Sequence, residues 1–225
     1  MNMSEQGLDP TPLPFLKWAG GKRQLIDTID RLIPPGVKDG TITRFVEPFV
    51  GAGSVFFHIR QRYPIEELII SDYNPDLVNS YVVIREQLKP LLNQLQILAD
   101  EYLPLEHEQR AEVFYRVRED YNSSRESLLS EEINEARILR AAQTIFLNRT
   151  CFNGLYRVNS KGDYNVPHGR YRNPPIISHE NLISVSNSLR GVIISRGNYQ
   201  ICESHVDEST FVYLDPPYRP LPNTP

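Results

Sequence analysis

The sequence predicts an α/β fold in which a mainly helical domain interrupts a doubly wound, Rossmann-like core. Three observations support this prediction. A strand, a glycine turn, a helix and a second strand follow one another between residues 43 and 72, which is how a doubly wound nucleotide-binding sheet begins. Residues 76–148 then carry helical periodicity with no strand between the helices. The alternation of helix and strand returns at residue 178.

The opening unit is predicted element by element. Apolar residues at helical spacing indicate a helix over Lys22–Ile33. Thr43–Glu47 reads as a strand that runs into the turn Gly51–Gly53, and a helix follows through Arg62. Glu67–Ser71 is a short apolar run typical of a second buried strand.

The middle of the chain predicts three helices and a hairpin. The helices are expected over Asp76–Ile97, Glu108–Tyr121 and Glu131–Asn148. Leu155–Val158 and Tyr164–Val166 flank a run of turn-forming residues, which indicates a β-hairpin. We therefore expect an inserted, mainly helical domain at 76–177.

The end of the chain returns to the core. A helix over Ser178–Leu189 and strands over Val192–Ser195 and Phe211–Leu214 are expected. The core would then comprise residues 15–75 and 178–225.

Composition excludes several classes of protein. Apolar residues make up 40% and charged residues 23% of the 225 residues, as in ordinary globular proteins. No apolar run approaches the roughly 18 residues of a membrane span, and the N-terminus lacks a signal-peptide pattern. Cys151 and Cys202 have no metal-ligand or disulfide spacing. We expect a cytoplasmic protein with no metal and no membrane association.

The glycine turn is the first candidate site. Glycines after a strand allow a tight turn and a close approach of the backbone to a ligand. Asp72 lies nineteen residues after Gly53, where a carboxylate can accept hydrogen bonds from ribose hydroxyls. The three-glycine dinucleotide pattern is incomplete, which favours a nucleoside without a pyrophosphate. A plain strand-to-helix turn is the alternative.

A second candidate site follows the last predicted strand, at Asp215, Pro216, Pro217 and Tyr218. Two prolines fix the backbone and remove two N–H donors, so nearby carbonyls can face a ligand. Asp215 could accept from an exocyclic amine and Tyr218 could stack on a flat ring. This combination suits a base extruded from a duplex. The alternative is a rigid turn with a surface tyrosine.

A third segment, Phe15–Lys22, precedes the first helix. Gly20 and Gly21 would leave N–H groups at a positive helix end, and Lys22 adds charge, so an anionic group could bind there. Trp18 could form a wall of an adenine or sulfonium pocket, although packing in the core is the simpler interpretation.

The predicted hairpin region is basic although the net charge is −4. Residues 149–172 contain five basic residues and one acidic residue, alternating with aromatic residues. Arginine can read guanine, and an aromatic ring can enter an opened base stack. A solvated basic hairpin is the alternative.

Together the four segments resemble the Dam-type (D12 class) DNA adenine-N6 methyltransferases, in the order that this family has them. The resemblance implies a methyltransferase core, S-adenosyl-L-methionine as cofactor and double-stranded DNA as partner, with GATC as the site. It implies a cofactor site at Trp18, Lys22, Glu47, Pro48, Phe49, Gly51, Gly53, Asp72 and Asp215.

The resemblance also implies the residues that meet DNA. Asp215 and Tyr218 would hold the flipped adenine beside Pro216 and Pro217. DNA contacts are expected at Lys17, Phe152, Asn153, Leu155, Arg157 and the basic Arg170. His168 departs from the aromatic residue that the family often has there.

Two other functions stay open on the sequence. Only seven residues follow Tyr218, whereas family members continue with further strands, so we expect C-terminal strands of the sheet to be missing. A non-catalytic DNA-binding remnant is therefore one alternative. The other is a methyltransferase that acts on RNA or on a protein side-chain amide through a similar pocket.

Overall fold

A four-stranded parallel sheet forms the centre of the protein. The computed structural model describes residues 11–130 and 132–217, so Tyr218 lies outside the described residues. The strands pair in the order β3-β2-β1-β4, and each described pairing is parallel. This sheet confirms the predicted α/β class. The strands are β1 (Arg44–Glu47), β2 (Glu67–Asp72), β3 (Ile193–Arg196) and β4 (Thr210–Val212).

The strand order creates a switch point beside β1. The chain leaves β1 for β2 on one side of it and returns much later to β4 on the other side. In open parallel sheets, ligands bind outside the carboxyl ends of the strands at such a point. The loops after β1, β2 and β4 therefore meet at one edge.

The described part of the chain contains eight α-helices. Four short 3₁₀ helices accompany them, at Arg23–Leu25, Arg125–Leu129, Phe152–Gly154 and Tyr199–His205. The α-helices are α1 (Ile26–Leu32), α2 (Pro35–Asp39), α3 (Ser54–Arg62), α4 (Pro75–Glu86), α5 (Leu88–Tyr102), α6 (His107–Ser123), α7 (Glu135–Thr150) and α8 (His179–Ser188).

One helix prediction was wrong. The periodic stretch Asp76–Ile97 forms two helices, α4 and α5, that break at Gln87, whose φ is −133°. Pro90 has no N–H to donate to a continuous helix, but it is tolerated in the first turn of a new one. The helix therefore restarts just before Pro90.

The predicted hairpin is present only as a loosely paired loop. Val158 and Tyr164 form a single antiparallel bridge, and the Asn165 N–H donates to the Arg157 carbonyl at 3.1 Å. The regular strands expected at Leu155–Val158 and Tyr164–Val166 are absent from the described residues. One reason is that the Leu155 carbonyl accepts a hydrogen bond from the buried Tyr164 hydroxyl at 3.0 Å. A regular strand would need this carbonyl to bond to the backbone of the opposite strand.

The helices of the middle region share their core with the sheet. α7 packs against α4, α5 and α6, and α4 also packs on β2, β3 and α8. One continuous apolar cluster includes Phe45 and Ile70 of the sheet and Leu95 and Phe146 of the helices. The division into a core and an insertion at 76–177 stays a prediction, as does the shortage of C-terminal strands. Among the described helices, none is both long and apolar enough to cross a membrane.

Candidate active site

A cleft of about 440 Å³ opens at the switch point of the sheet. Its walls come from the loop after β1, the end of β2, the segment after β4 and the segment before α1. The predicted cofactor residues therefore line one cleft, except for Pro48, which is not part of the lining. The lining includes Trp18, Gly20, Gly21, Lys22, Glu47, Phe49, Gly51, Gly53, Asp72, Asp215, Pro216 and Pro217.

Bare backbone forms the wall of the cleft after β1. Gly53 has φ +79°, and a Cβ there would lie 2.6 Å from the Tyr81 hydroxyl. That hydroxyl donates to the Gly51 carbonyl at 2.9 Å, so buried Tyr81 fixes the turn from behind. Glycine at position 53 is therefore required by the left-handed turn and by the buried side chains behind it, and the close approach of a ligand to this backbone stays a prediction.

Asp72 lies at the carboxyl end of β2 and is held by the backbone. Its Oδ2 accepts from the Gly51 N–H at 3.1 Å, and its Oδ1 accepts from the Asn74 N–H at 2.9 Å. Burial nevertheless raises the pKa of this carboxyl above its ordinary value. Asp72 is therefore an oriented acceptor at the cleft.

Glu47 is almost fully buried, with 3% of its surface exposed. Its Oε2 has no hydrogen-bond partner among the described residues. Burial raises the pKa of Glu47 well above its usual range, and the nearby charges of Asp215 and Asp72 raise it further. A donor or a cation placed in the cleft would satisfy this carboxyl, because an unpaired buried acceptor is costly.

Lys22 and Asp215, which both line the cleft, form an ion pair. Both side chains are mostly buried, with 14% and 20% exposed. The Lys22 ammonium also donates to the Gly20 carbonyl at 2.9 Å. The sequence suggested an anionic ligand for Lys22, and the anion that it meets in this structure is the candidate catalytic carboxylate.

Trp18 connects the cleft to the segment that was predicted to read DNA. Its ring lies 5.1 Å from the ring of Tyr156, with 31° between the planes. Trp18 therefore both lines the cleft and packs on Tyr156. Its role as a wall of an adenine or sulfonium pocket stays a prediction.

The predicted DNA contacts lie mostly on the surface beside this cleft. Phe152 is 51% exposed, and Leu155, Arg157 and Arg170 are exposed as well. Asn153 has a left-handed φ of 55°. The Arg157 guanidinium donates to the Asn165 side chain at 2.7 Å. None of these side chains lines the cleft in the described part of the chain.

Lys17 lies directly against the turn at residues 152–154. A Cβ on Gly154 would overlap the Lys17 side chain, so glycine is required at this left-handed position. The Lys17 ammonium lies 4.6 Å from the centroid of the Tyr171 ring. Lys17 therefore packs on this turn and on Tyr171.

Sequence reasoning missed the residue that joins these two segments. The buried Asn148 side chain accepts from the Lys17 N–H at 2.8 Å and donates at 2.9 Å to the carbonyls of Lys17 and Gly154. The available signal was a polar stripe at four-residue spacing within α7, formed by Arg140, Thr144 and Asn148.

Comparison with known proteins decides the family. The family model described as D12 class N6 adenine-specific DNA methyltransferase matches residues 18–225. The chain belongs to this family. It is thus a member of a class of enzymes that methylate adenine in DNA, as the four segments predicted.

Individual relatives of this D12 family member agree with the assignment. A type II methyltransferase, M.MjaIII of Methanocaldococcus jannaschii, is 46% identical over 94% of the chain and 71% of its own length. The type II methyltransferase M1.LlaDCHI of Lactococcus lactis subsp. cremoris is 36% identical over 94% of the chain and 67% of its own length. A DNA adenine methylase of Serratia marcescens is 35% identical over 93% of the chain and 68% of its own length.

The described residues of this D12 methyltransferase contain no cluster of metal ligands. No group of three His, Cys, Asp or Glu side chains within residues 11–130 and 132–217 could hold a metal ion. Both cysteines are buried free thiols.

Proposed function

We propose that this chain transfers a methyl group from S-adenosyl-L-methionine to N6 of a flipped adenine in double-stranded DNA, within GATC. The observation that carries the proposal is the cleft, where the glycine turn, Asp72, Glu47 and Asp215 surround one cavity at the switch point of the sheet. Membership of the D12 family supports the reaction.

The chemistry of the cleft fits this cofactor. Three acidic residues and one basic residue are among its lining, so the cleft favours a ligand with net positive charge. Glu47 offers an unsatisfied buried acceptor, and the turn at Gly51 and Gly53 offers bare backbone. Asp72 would accept from ribose hydroxyls. When bound, S-adenosylmethionine supplies an electrophilic methyl group on a sulfonium.

Asp215 and the prolines after it would activate the target amine. The lone pair of adenine N6 is delocalised into the ring, so the amine is a poor nucleophile. Asp215 and a main-chain carbonyl of Pro216 or Pro217 would accept hydrogen bonds from its two N–H groups and localise the lone pair. The one proton that N6 loses on methylation would pass to Asp215. The gain in rate would come from placement and from fixed charges.

The Lys22–Asp215 ion pair bears on this step. The Lys22 ammonium holds the Asp215 carboxylate in place, in the same cleft as Glu47 and Asp72. Lys22 would turn to the cofactor carboxylate, and Asp215 to the amine, when both ligands enter. Tyr218, proposed to stack on the adenine, lies outside the described residues.

The surface of Lys17, Phe152, Asn153, Leu155 and Arg157 would meet the DNA, with Arg170 contributing positive charge. GATC is carried over from the Dam-type resemblance, and the names of two relatives suggest a role beside a type II restriction enzyme. A cytoplasmic location, expected from the sequence, belongs to the same proposal.

The test is methyl transfer by wild type and by Asp215→Asn, which keeps the shape of the side chain. Labelled cofactor is supplied with a GATC duplex or with a duplex of scrambled bases. We expect label on the GATC duplex from wild type only, and binding of S-adenosylhomocysteine by the variant that is weakened but retained, because Asp215 also lines the cofactor cleft. Substantial transfer by Asp215→Asn would refute the role of Asp215, and equal transfer to both duplexes would refute the site.

A further inference from the structure

A buried ion pair lies behind the wall of the cleft and has no part in the proposed chemistry. The Arg140 Nε lies 2.6 Å from the Asp76 Oδ1, and the two residues are only 2% and 5% exposed. The guanidinium also donates to the Tyr121 carbonyl at 2.6 Å and lies 4.1 Å from the Tyr121 ring centroid. Such a multiply bonded pair is a rigid anchor.

Tyr156 extends from this anchor to the cofactor cleft. Its hydroxyl donates to the Asp76 Oδ2 at 2.9 Å, the carboxylate oxygen that Arg140 Nε does not take. The Tyr156 ring also packs on the ring of Trp18, with 5.1 Å between the ring centroids. The orientation of the Trp18 wall therefore depends on where Tyr156 is held.

The same residue belongs to the segment that meets DNA. Leu155 adopts an extended conformation with φ −76° and ψ 151°, and side chains alternate direction along extended backbone. Leu155 and Arg157 are exposed, whereas Tyr156 between them is partly buried against the core. Two predicted base-reading residues thus flank the one that contacts the cofactor wall.

A second connection runs through the turn after β2. Asn74 donates its N–H to Asp72, the proposed ribose acceptor, and its side chain accepts from the N–H of Asp76 at 3.0 Å. Asp72 and Asp76 are therefore set by one capped turn, the first facing the cleft and the second facing Tyr156.

We infer that Tyr156 is a positioning residue that couples cofactor binding at Trp18 to DNA binding by the 152–157 segment. The inference rests on the proposed function. A cofactor that fixes the Trp18 ring also fixes Tyr156, and with it the register of Leu155 and Arg157. By thermodynamic linkage, DNA that orders this segment must raise the affinity of the cofactor by the same factor.

The test measures this factor with the whole chain. Trp18 is the only tryptophan, so its fluorescence reports binding of S-adenosylhomocysteine with and without a GATC duplex. In wild type we expect the duplex to tighten binding at least about fivefold, the lower end of typical couplings. In Tyr156→Phe, which keeps the ring and loses the bond to Asp76, we expect the factor to fall below about twofold.

Tyr63→Phe is the matched control. The Tyr63 hydroxyl also donates to a carboxylate, Asp30, at 2.6 Å, but Tyr63 follows the far end of α3 from Gly53. Loss of this bond should leave the coupling factor at its wild-type value, whatever it does to stability. A general loss of stability would therefore not reproduce the effect of Tyr156→Phe.

The outcomes separate the inference from the proposed function. The inference would be overturned if Tyr156→Phe kept the wild-type coupling factor, or if Tyr63→Phe lost it equally. It would also be overturned if the wild type bound both ligands with no coupling between them. Wild type that binds neither S-adenosylhomocysteine nor DNA would overturn the proposed function, and the inference with it.

Discussion

Replacing Gly53 with alanine should lower the free energy of unfolding, because two unfavourable effects add. The left-handed φ of +79° costs a residue with a Cβ about 1–2 kcal/mol. The new Cβ would also lie 2.6 Å from the Tyr81 hydroxyl and 2.9 Å from Phe57. Both neighbours are almost fully buried, and overpacking of that kind costs about 1–3 kcal/mol.

Gly191→Ala separates the two effects. Gly191 has a similar φ of +74°, but nothing lies within 4 Å of a Cβ placed there. It should show the backbone cost alone, so Gly53→Ala should be less stable than Gly191→Ala by about 1–3 kcal/mol.

Urea unfolding of both variants measures the difference, provided that the slopes match. Because Tyr81 must move to admit the Cβ, and Tyr81 holds the Gly51 carbonyl, only Gly53→Ala should also weaken binding of S-adenosylhomocysteine. Equal stability of the two variants, or cofactor affinity unchanged in Gly53→Ala, would refute this account of the glycine turn.

Three further substitutions test other parts of the molecule. Arg140→Met should cost about 3–5 kcal/mol in urea unfolding, because it leaves the buried Asp76 carboxylate without its ionic partner; a cost below 1 kcal/mol would contradict the anchor. Burial, and to a smaller extent neighbouring basic groups, lower the pKa of His168 to about 4. As the pH falls below about 6.5, the unfolded chain therefore takes up a proton at this histidine that the folded chain does not. Stability should therefore fall between about pH 6.5 and pH 4, by on the order of 1 kcal/mol for this partly exposed group. His168→Phe should reduce that loss when urea curves at pH 7 and pH 5 are compared, and an identical loss would count against it. Arg157 is exposed and its side chain bonds to Asn165 of the same loop, so Arg157→Ala should preserve stability and relax discrimination at one base by about 1–3 kcal/mol, as duplex competition would show; undiminished discrimination at every position would exclude a base contact.

The core elements were predictable because their signals are local. The glycine turn, the short apolar strands and the periodic helices each reflect a few adjacent residues, and all four described strands lie where the sequence predicted them. The break at Gln87 was missed because Pro90 interrupts a periodicity that is otherwise continuous. The loose pairing at 158–164 was missed because it depends on Tyr164, whose ring is buried by residues distant in sequence.

The candidate site was predictable to the level of motifs and not of contacts. Asp72, Gly53 and Asp215 were expected to meet, because the family resemblance implies one cofactor site that contains all three. The pairing of Lys22 with Asp215 and the anchor of Asp76 with Arg140 were not expected. Each joins segments far apart in the chain, and a single sequence holds no signal for which polar side chains will meet.

Product analysis would show which atom of which substrate receives the methyl group. The chain is incubated with methyl-labelled S-adenosylmethionine and a GATC duplex, with RNA and a protein substrate as competitors, and the DNA is digested to nucleosides. We expect label in N6-methyladenine alone. Label in another nucleoside, in RNA or in protein, or no label from a chain that binds both cofactor and duplex, would contradict it.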